Sequence, residues 1–135
     1  MGVLVVDAAN VVGSRPDGWW RDRAGAARRL HDRLAAADLG EDEVVLVVEG
    51  VARAGPPPGV VGRVRTVHAP GSGDDAVVDE VVRRLPSGRL GTAGRPAPDA
   101  LVVVTADRGL RARVEQAGAA TRTPSWLLDR LGDPG

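Results

Sequence analysis

Residues 2–13 have the sequence GVLVVDAANVVG, and this stretch decides the fold of the chain. The apolar run Val3–Val6 has the length and β-branched character of a parallel strand that is covered on both faces. It ends at Asp7. Because open α/β sheets bind ligands at the carboxyl ends of their strands, a carboxylate at this point is a candidate functional residue. Aspartate also caps turns in many proteins, so Asp7 alone leaves both roles open.

Length and composition limit the classes of protein to consider. The 135 residues suffice for one domain with one core, and we predict a single domain over residues 1–135. The formal charge is zero, so any polyanion would have to be held by a local patch. The absence of cysteine excludes a disulfide framework and a thiolate metal site. We expect a cytoplasmic protein with no membrane partner, because no apolar run reaches membrane length. Whether the protein forms a homo-oligomer stays open.

Strand and helix patterns alternate along the chain. Residues 11–13 suggest a turn, and a helix of about five turns follows with an apolar stripe that begins at Trp20 and ends at Ala37. Further apolar runs predict strands at 44–48, 60–67, 100–104 and 119–122, with helices at 74–85, after 107 and from 124. Arg63 and Arg65 on one face of the third strand are typical of an edge strand, and residues 86–99 suggest a mobile loop.

This alternation predicts a three-layer α/β/α domain, Rossmann-like, with a central parallel sheet. The connection after the third strand is where the chain would cross to the other side of the first. The strand order is then 3-2-1-4-5, with the topological switch point between strands one and four. Asp7 and Asp107 would lie side by side at the carboxyl edge of the sheet. A further acid, Glu49, also follows a strand.

The helix predicted at 74–85 supplies more carboxylates. Asp75 and Asp79 are four residues apart, so they share one face and repel each other. The helix amino end favours negative charge, which accounts for Asp74 or Asp75 without any function but accounts poorly for Asp79. Glu80 is expected to be solvated.

Together, these acids favour a hard cation. Asp7, Asp75, Asp79 and Asp107 would form a cluster whose natural neutraliser is Mg²⁺ or Mn²⁺, held by oxygen ligands. Such a site polarises a phosphodiester and activates water, with one ion or two. Since Asp74 and Asp75 are adjacent, which one faces the metal stays open; the spacing to Asp79 favours Asp75.

Three segments resemble the motifs of a known family. Residues 7–12 (DAANVV), 72–79 (SGDDAVVD) and 102–107 (VVVTAD) resemble, in this order, the motifs of the PIN-like nucleases, and most of all the NYN domains of YacP-like bacterial proteins. The resemblance runs from Val3 to about Leu128. It implies a PIN-like fold and a Mg²⁺- or Mn²⁺-dependent endoribonuclease. The residues implied as catalytic are Asp7, Asp75, Asp79, Asp107 and Asn10, the last for positioning, with Asp74 as the alternative metal ligand.

The chain departs from this pattern at three positions. Asp79 stands where the YacP-like branch often has Glu, Gly73 replaces the usual Ala, and Ala106 stands where Ser is common. These departures bear on activity more than on the fold.

RNA is the partner that the resemblance implies. Arg15, Arg21 and Arg23 are candidates to hold its backbone, and Trp19 to stack on a base, although aromatic residues more often pack in a core. Two alternatives stay open. One is a catalytically weak RNA-binding or interaction module of the same fold, and the other is a different metal-dependent phosphoryl-transfer enzyme acting on a nucleotide.

Overall fold

The structure is a computed structural model that describes residues 2–14, 18–84 and 101–132. Arg15, the side chain of Trp19 and the loop expected over residues 86–99 lie outside this description. The described strands and helices are β1 (Val3–Asp7), α1 (Ala8–Gly13), α2 (Arg23–Ala36), β2 (Glu43–Val48), β3 (Gly59–Val61), β4 (Val64–His68), α3 (Gly73–Arg84), β5 (Leu101–Val104), α4 (Arg108–Ala117), β6 (Ala120–Arg122) and α5 (Pro124–Arg130). Short 3₁₀ helices cover Trp19–Arg21 and Gly50–Ala54.

A six-stranded sheet in the order β3-β4-β2-β1-β5-β6 forms the centre of the molecule. The strand β1 is parallel to both β2 and β5, so the chain switches direction across the sheet at β1, as predicted. The α/β class, the parallel sheet and the succession of the five predicted strands are confirmed. Among the described strands, β3, which is antiparallel to β4, is the one that was not predicted separately.

The extra strand corrects one prediction. Residues 60–67 form a hairpin rather than one strand, because the chain turns at Gly62 and Arg63. Gly62 has φ of +58°, a left-handed conformation that glycine adopts without steric cost. The edge strand is therefore β3, while Arg65 lies on β4 inside the sheet and Arg63 in the turn.

Alternate strand residues point to two separate cores. Leu4 and Val6 face a core formed with α1, α2 and α5, whereas Val5 faces a second core that contains Val77 of α3 and Leu110 of α4. Helices thus cover both faces of the sheet, which is why its central strands are continuously apolar.

Two local predictions near the amino terminus are wrong. Residues 11–13 belong to α1 instead of a turn. The long helix begins only at Arg23, where the Asp22 carboxylate accepts a hydrogen bond from the Gly25 N–H and caps the first turn. Trp20 lies before this cap and is 53% exposed, so it is not part of the buried stripe.

Glu80 is buried rather than solvated, with 1% of its surface exposed. Its carboxylate binds Arg65 of β4 and, one helical turn further on, Arg84; both guanidinium groups also bind Glu43 at the start of β2. Burial opposes ionisation of Glu43, but the hydrogen bonds from Arg84 and Arg65 outweigh it and lower its pKa. This network ties α3 to the sheet. No helix within the described ranges is long and apolar enough to span a bilayer.

We predict that Arg84→Met lowers the free energy of unfolding by about 2 kcal/mol, because it removes charged hydrogen bonds from a buried carboxylate. Arg83→Met is the matched control. Arg83 is adjacent and approaches the same carboxylate at 3.6 Å, but its side chain is 69% exposed, so its loss should cost less than about 1 kcal/mol. Urea unfolding followed by circular dichroism measures both. Equal losses in the two variants would contradict a structural role for the buried network.

Candidate active site

Asp7 ends β1 at the carboxyl edge of the sheet and is 3% exposed. Its Oδ2 accepts hydrogen bonds from Asn10 Nδ2 at 2.9 Å and from Thr105 Oγ1 at 3.0 Å. Burial raises the pKa of Asp7; the bonds from Thr105 and Asn10 partly offset this, and the nearby charge of Asp74 adds to it. The carboxylate is therefore fixed in position but is an unfavourable charge for the folded protein.

Asn10 joins the two strand ends on either side of the switch point. One turn into α1, it donates to Asp7 through Nδ2 and accepts from the Ala106 N–H through Oδ1, at 3.1 Å. Thr105 makes a second link of the same kind, because its hydroxyl donates to Asp7 and accepts from the Asp107 N–H at 3.2 Å. The amide and the hydroxyl thus hold the loop after β5 against the end of β1.

Asp107 follows directly from this loop and begins α4. Its Oδ1 accepts from the Leu110 N–H at 2.9 Å, an N-cap bond that fixes the carboxylate at the helix start. The cap explains why an acid suits this position without any function. The cap does not explain why Asp107 lies near Asp74. The charge of Asp107 raises the pKa of Asp74.

The first turn of α3 presents its two acids in different directions. Asp75 is exposed and pairs with Arg113 of α4 at 3.1 Å. Asp74 is half-buried, and its pKa is raised by burial and then by the charges of Asp107 and Glu49. The geometry therefore places Asp74, the alternative left open by the sequence, among the strand-end acids, and directs the preferred Asp75 to the surface.

Asp79 follows the orientation of Asp75. Because it lies four residues further along α3, it shares the face of Asp75, and it is exposed. The charge of Asp74 thus acts on Asp7, and that of Asp107 on Asp74, whereas Asp75 pairs with Arg113. Spacing along a helix identifies residues that share a face, but it does not show which face the sheet takes.

Glu49 is a further acid of this edge that the sequence analysis assigned to no site. It follows β2, the strand beside β1, and its Oε2 accepts from the Gly73 N–H at the start of α3 at 3.2 Å. A β-carbon at Gly73 would meet the Glu49 carboxylate, so a larger residue there would displace this side chain from the amide. The signal in the sequence was the same as for Asp7: a carboxylate directly after a buried apolar run.

The donor chemistry of this edge fits a hard cation, because all the candidate ligands are carboxylate oxygens. In residues 2–14, 18–84 and 101–132, however, no three Asp, Glu or His side chains converge closely enough to ligate one ion. The arrangement therefore suits an ion held by one or two carboxylates that keeps several waters, as Mg²⁺ usually does.

The basic and aromatic candidates lie on the approach to α2. Arg21 is exposed, with its guanidinium 5.8 Å from the centre of the Trp20 ring. Arg23 is the first residue of α2 and lines a cleft beside α1. Arg15 and the side chain of Trp19 lie outside the described residues, so their RNA-binding roles stay predictions.

The fold is similar to that of two crystal structures of Rae1 (YacP) from Bacillus subtilis, one of them a single-residue mutant. The TM-scores are 0.68 for the protein without the mutation and 0.67 for the mutant, with 18% sequence identity in both cases. The matches cover 98% of this chain and 74% and 76% of those chains, respectively. No family model and no curated protein matches the sequence. The chain thus has a YacP-like fold.

We predict that Asp74→Asn stabilises the protein at neutral pH without divalent ions, whereas Asp75→Asn does not. Because folding raises the pKa of Asp74, its contribution to stability is complete below the unfolded value of 3.8 and is lost as the pH rises through the folded value. The Asp75 change removes the same charge from the same helix turn, so the loss of the favourable interaction with the helix dipole is the same in both variants. Apart from that, Asp75→Asn loses only a surface ion pair.

Thermal unfolding between acid and neutral pH measures this difference. The advantage of Asp74→Asn should appear as the pH rises and vanish in acid. An equal gain in Asp75→Asn, or a loss in Asp74→Asn relative to that control at neutral pH, would contradict the arrangement of acids described above.

Proposed function

We propose that this protein is a Mg²⁺- or Mn²⁺-dependent endoribonuclease of the PIN-like class, with an NYN domain of the YacP-like type. The observation that carries the proposal is that the charge of Asp74 acts on Asp7 and the charge of Asp107 acts on Asp74 at the switch point of the sheet, where ligands of this architecture bind. The YacP-like fold and the motif resemblance support it.

One or two of the acids of this edge, drawn from Asp7, Asp74, Asp107 and Glu49, would hold the metal, and water would complete its coordination. When bound, the ion supplies a Lewis acid for the phosphodiester and lowers the pKa of water. Asn10 and Thr105 orient the Asp7 carboxylate through their hydrogen bonds, so that it does not have to reorganise. The Leu110 N–H holds Asp107 in the same way. Burial of Asp7 excludes water from one side of the site.

The substrate would reach this edge along α1 and the beginning of α2. Arg21 and Arg23 would contact phosphates there, and a base would stack on the exposed Trp20 or on Trp19. The resemblance also implies Asp75 and Asp79 as metal ligands. These roles are the weaker form of the proposal, since Asp75 is engaged by Arg113 and Asp79 lies on the same face of α3.

One observation favours a second function, a catalytically weak RNA-binding module of the same fold. The part of the chain that is described contains no group of three acids or histidines close enough to ligate one ion, so no complete metal cage is preformed. A binding module would keep the fold and the basic residues while losing hydrolysis. Cleavage assays distinguish the two functions.

We predict that Asp107→Asn lowers Mn²⁺-dependent cleavage of single-stranded RNA by about a hundredfold or more, the scale of losses around metal sites. Asparagine is as good an N-cap as aspartate, so the fold should be retained, as circular dichroism would show. RNA affinity should be equal or higher because a repulsive charge is removed.

Asp79→Asn is the control for this experiment. It removes the same charge from an exposed position, so cleavage should stay within about threefold, a difference of less than 1 kcal/mol. Large losses in both Asp79→Asn and Asp107→Asn would favour the ligand set predicted from the sequence, which contains both acids. Intact cleavage in Asp107→Asn would contradict the catalytic assignment. Absence of cleavage in the unmodified protein, with RNA binding retained, would favour the binding module.

A further inference from the structure

A tryptophan with arginines against its ring lies at the start of α5. The Arg130 guanidinium lies over the Trp126 ring, 4.7 Å from its centre, and the Arg122 guanidinium approaches the same ring at 5.9 Å. Trp126 is half-buried and packs against the core that α1, α2 and α5 share, whereas Arg130 is exposed. The core therefore fixes the ring, and the ring holds a guanidinium at the surface.

The two arginines differ in what else they bind. Arg122 Nη1 donates to the Thr121 carbonyl at 2.8 Å. For Arg130, the part of the chain that is described offers the Trp126 ring but no carboxylate or carbonyl acceptor, and the neighbouring Asp129 forms no ion pair with it. A guanidinium over a ring interacts through its face, while its N–H donors lie in its plane. The Arg130 donors are thus available to an acceptor from outside the protein, such as a phosphate.

Backbone hydrogen bonds place this pair close to the acidic edge. Thr105, whose hydroxyl donates to Asp7, also donates its N–H to the carbonyl of Arg122 at the end of β6, at 3.1 Å. Trp126 follows in the first turn of α5. Since β6 is the second strand from β1, its end is about 10 Å from the end of β1 at the usual strand spacing. The start of α5 is therefore within the span of a short RNA strand bound at Asp7.

A second pair of this kind lies on the other side of α1. Arg21 and Trp20 precede α2, which lies over β2 and β4. By contrast, α5 follows β6 at the opposite edge of the sheet, and α1 contacts both α2 and α5. The helix α1, which begins directly after Asp7, thus lies between two pairs of tryptophan and arginine.

We propose that Arg130 binds a backbone phosphate of the RNA, so that the strand crosses the start of α1 and is held on both sides of it. Arg21 and Arg23 hold it on the α2 side and Arg130 on the α5 side. The inference rests on the proposed function and assigns the second half of the substrate path.

The charge distribution requires contacts of this kind. The formal charge of the chain is zero and the acidic edge repels phosphates, so only local cations can hold the strand. A strand held on one side could swing away from the edge, whereas contacts on both sides of Asp7 fix the phosphate between them.

The salt dependence of RNA binding measures the Arg130 contact. A mixed-sequence single-stranded RNA is titrated in EDTA, which prevents metal-dependent cleavage. Arg130→Gln should weaken binding about five- to tenfold at about 50 mM salt and lower the slope of log affinity against log salt by about 0.7, the value for one phosphate contact. Arg130→Lys keeps the charge and should keep the slope. An unchanged slope in Arg130→Gln, or an equal loss in Arg130→Lys, would overturn the proposal.

Arg83→Gln is the matched control. It removes the same charge from an exposed side chain, but Arg83 lies near the end of α3, which covers the other face of the sheet. Its affinity and slope should equal those of the unmodified protein. Equal losses in Arg83→Gln and Arg130→Gln would show an effect of net charge alone and would overturn the proposal.

Combining Arg21→Gln with Arg130→Gln tests whether one strand makes both contacts. If it does, the two reductions in slope add, to a total of about 1.4. Two alternative binding sites would instead keep most of the affinity and the slope in each single variant, because the other site still binds. That result would overturn the path across α1.

Cleavage assays with Mn²⁺ separate this proposal from the function on which it rests. Cleavage by the unmodified protein, together with the lower slope in Arg130→Gln, supports both. Cleavage with an unchanged slope in Arg130→Gln overturns the Arg130 contact and leaves the ribonuclease intact. The lower slope without any cleavage leaves the Arg130 contact and overturns the ribonuclease.

Discussion

The hydrogen bond from Thr105 to the buried Asp7 carboxylate joins the ends of β1 and β5, and the rest of the site depends on it. A carboxylate that is 3% exposed is tolerated only when it is hydrogen-bonded, and Asn10 donates a second bond to the same oxygen, Oδ2. These two side chains also hold the backbone of Ala106 and Asp107. One buried charge therefore organises the edge of the sheet at which a ligand would bind.

At this edge of the sheet, repulsion between neighbouring carboxylates opposes their ionisation. Burial and mutual repulsion raise the pKa values of Asp7 and Asp74, so the folded protein holds negative charge there at a cost in stability. The buried network around Glu80 is the opposite case, because each carboxylate there has guanidinium partners. Acids left uncompensated at a strand edge point to function, whereas acids with built-in partners point to structure.

The apolar runs and the helical patterns between them predicted five strands, their order in the sheet and the position of β1 beside β5. Short valine-rich runs that alternate with helices are typical of buried parallel strands. Features that depend on distant partners were not predictable. Nothing in the helix period shows that Glu80 meets Arg65, or that Asp74 rather than Asp75 turns toward Asp107. The hairpin at Gly62 was missed because apolar residues continue on both sides of the turn.

We propose that a divalent cation binds among the strand-end acids. Substoichiometric Mn²⁺ added to ¹⁵N-labelled protein tests it most directly, because a paramagnetic ion broadens the amide signals nearest to it. The account predicts that the signals of Asp7, Asp74 and Asp107 broaden first, that of Asp79 later, and that of Arg84, at the far end of α3, last. Broadening centred on Asp79, or uniform weak broadening across the protein, would contradict the account.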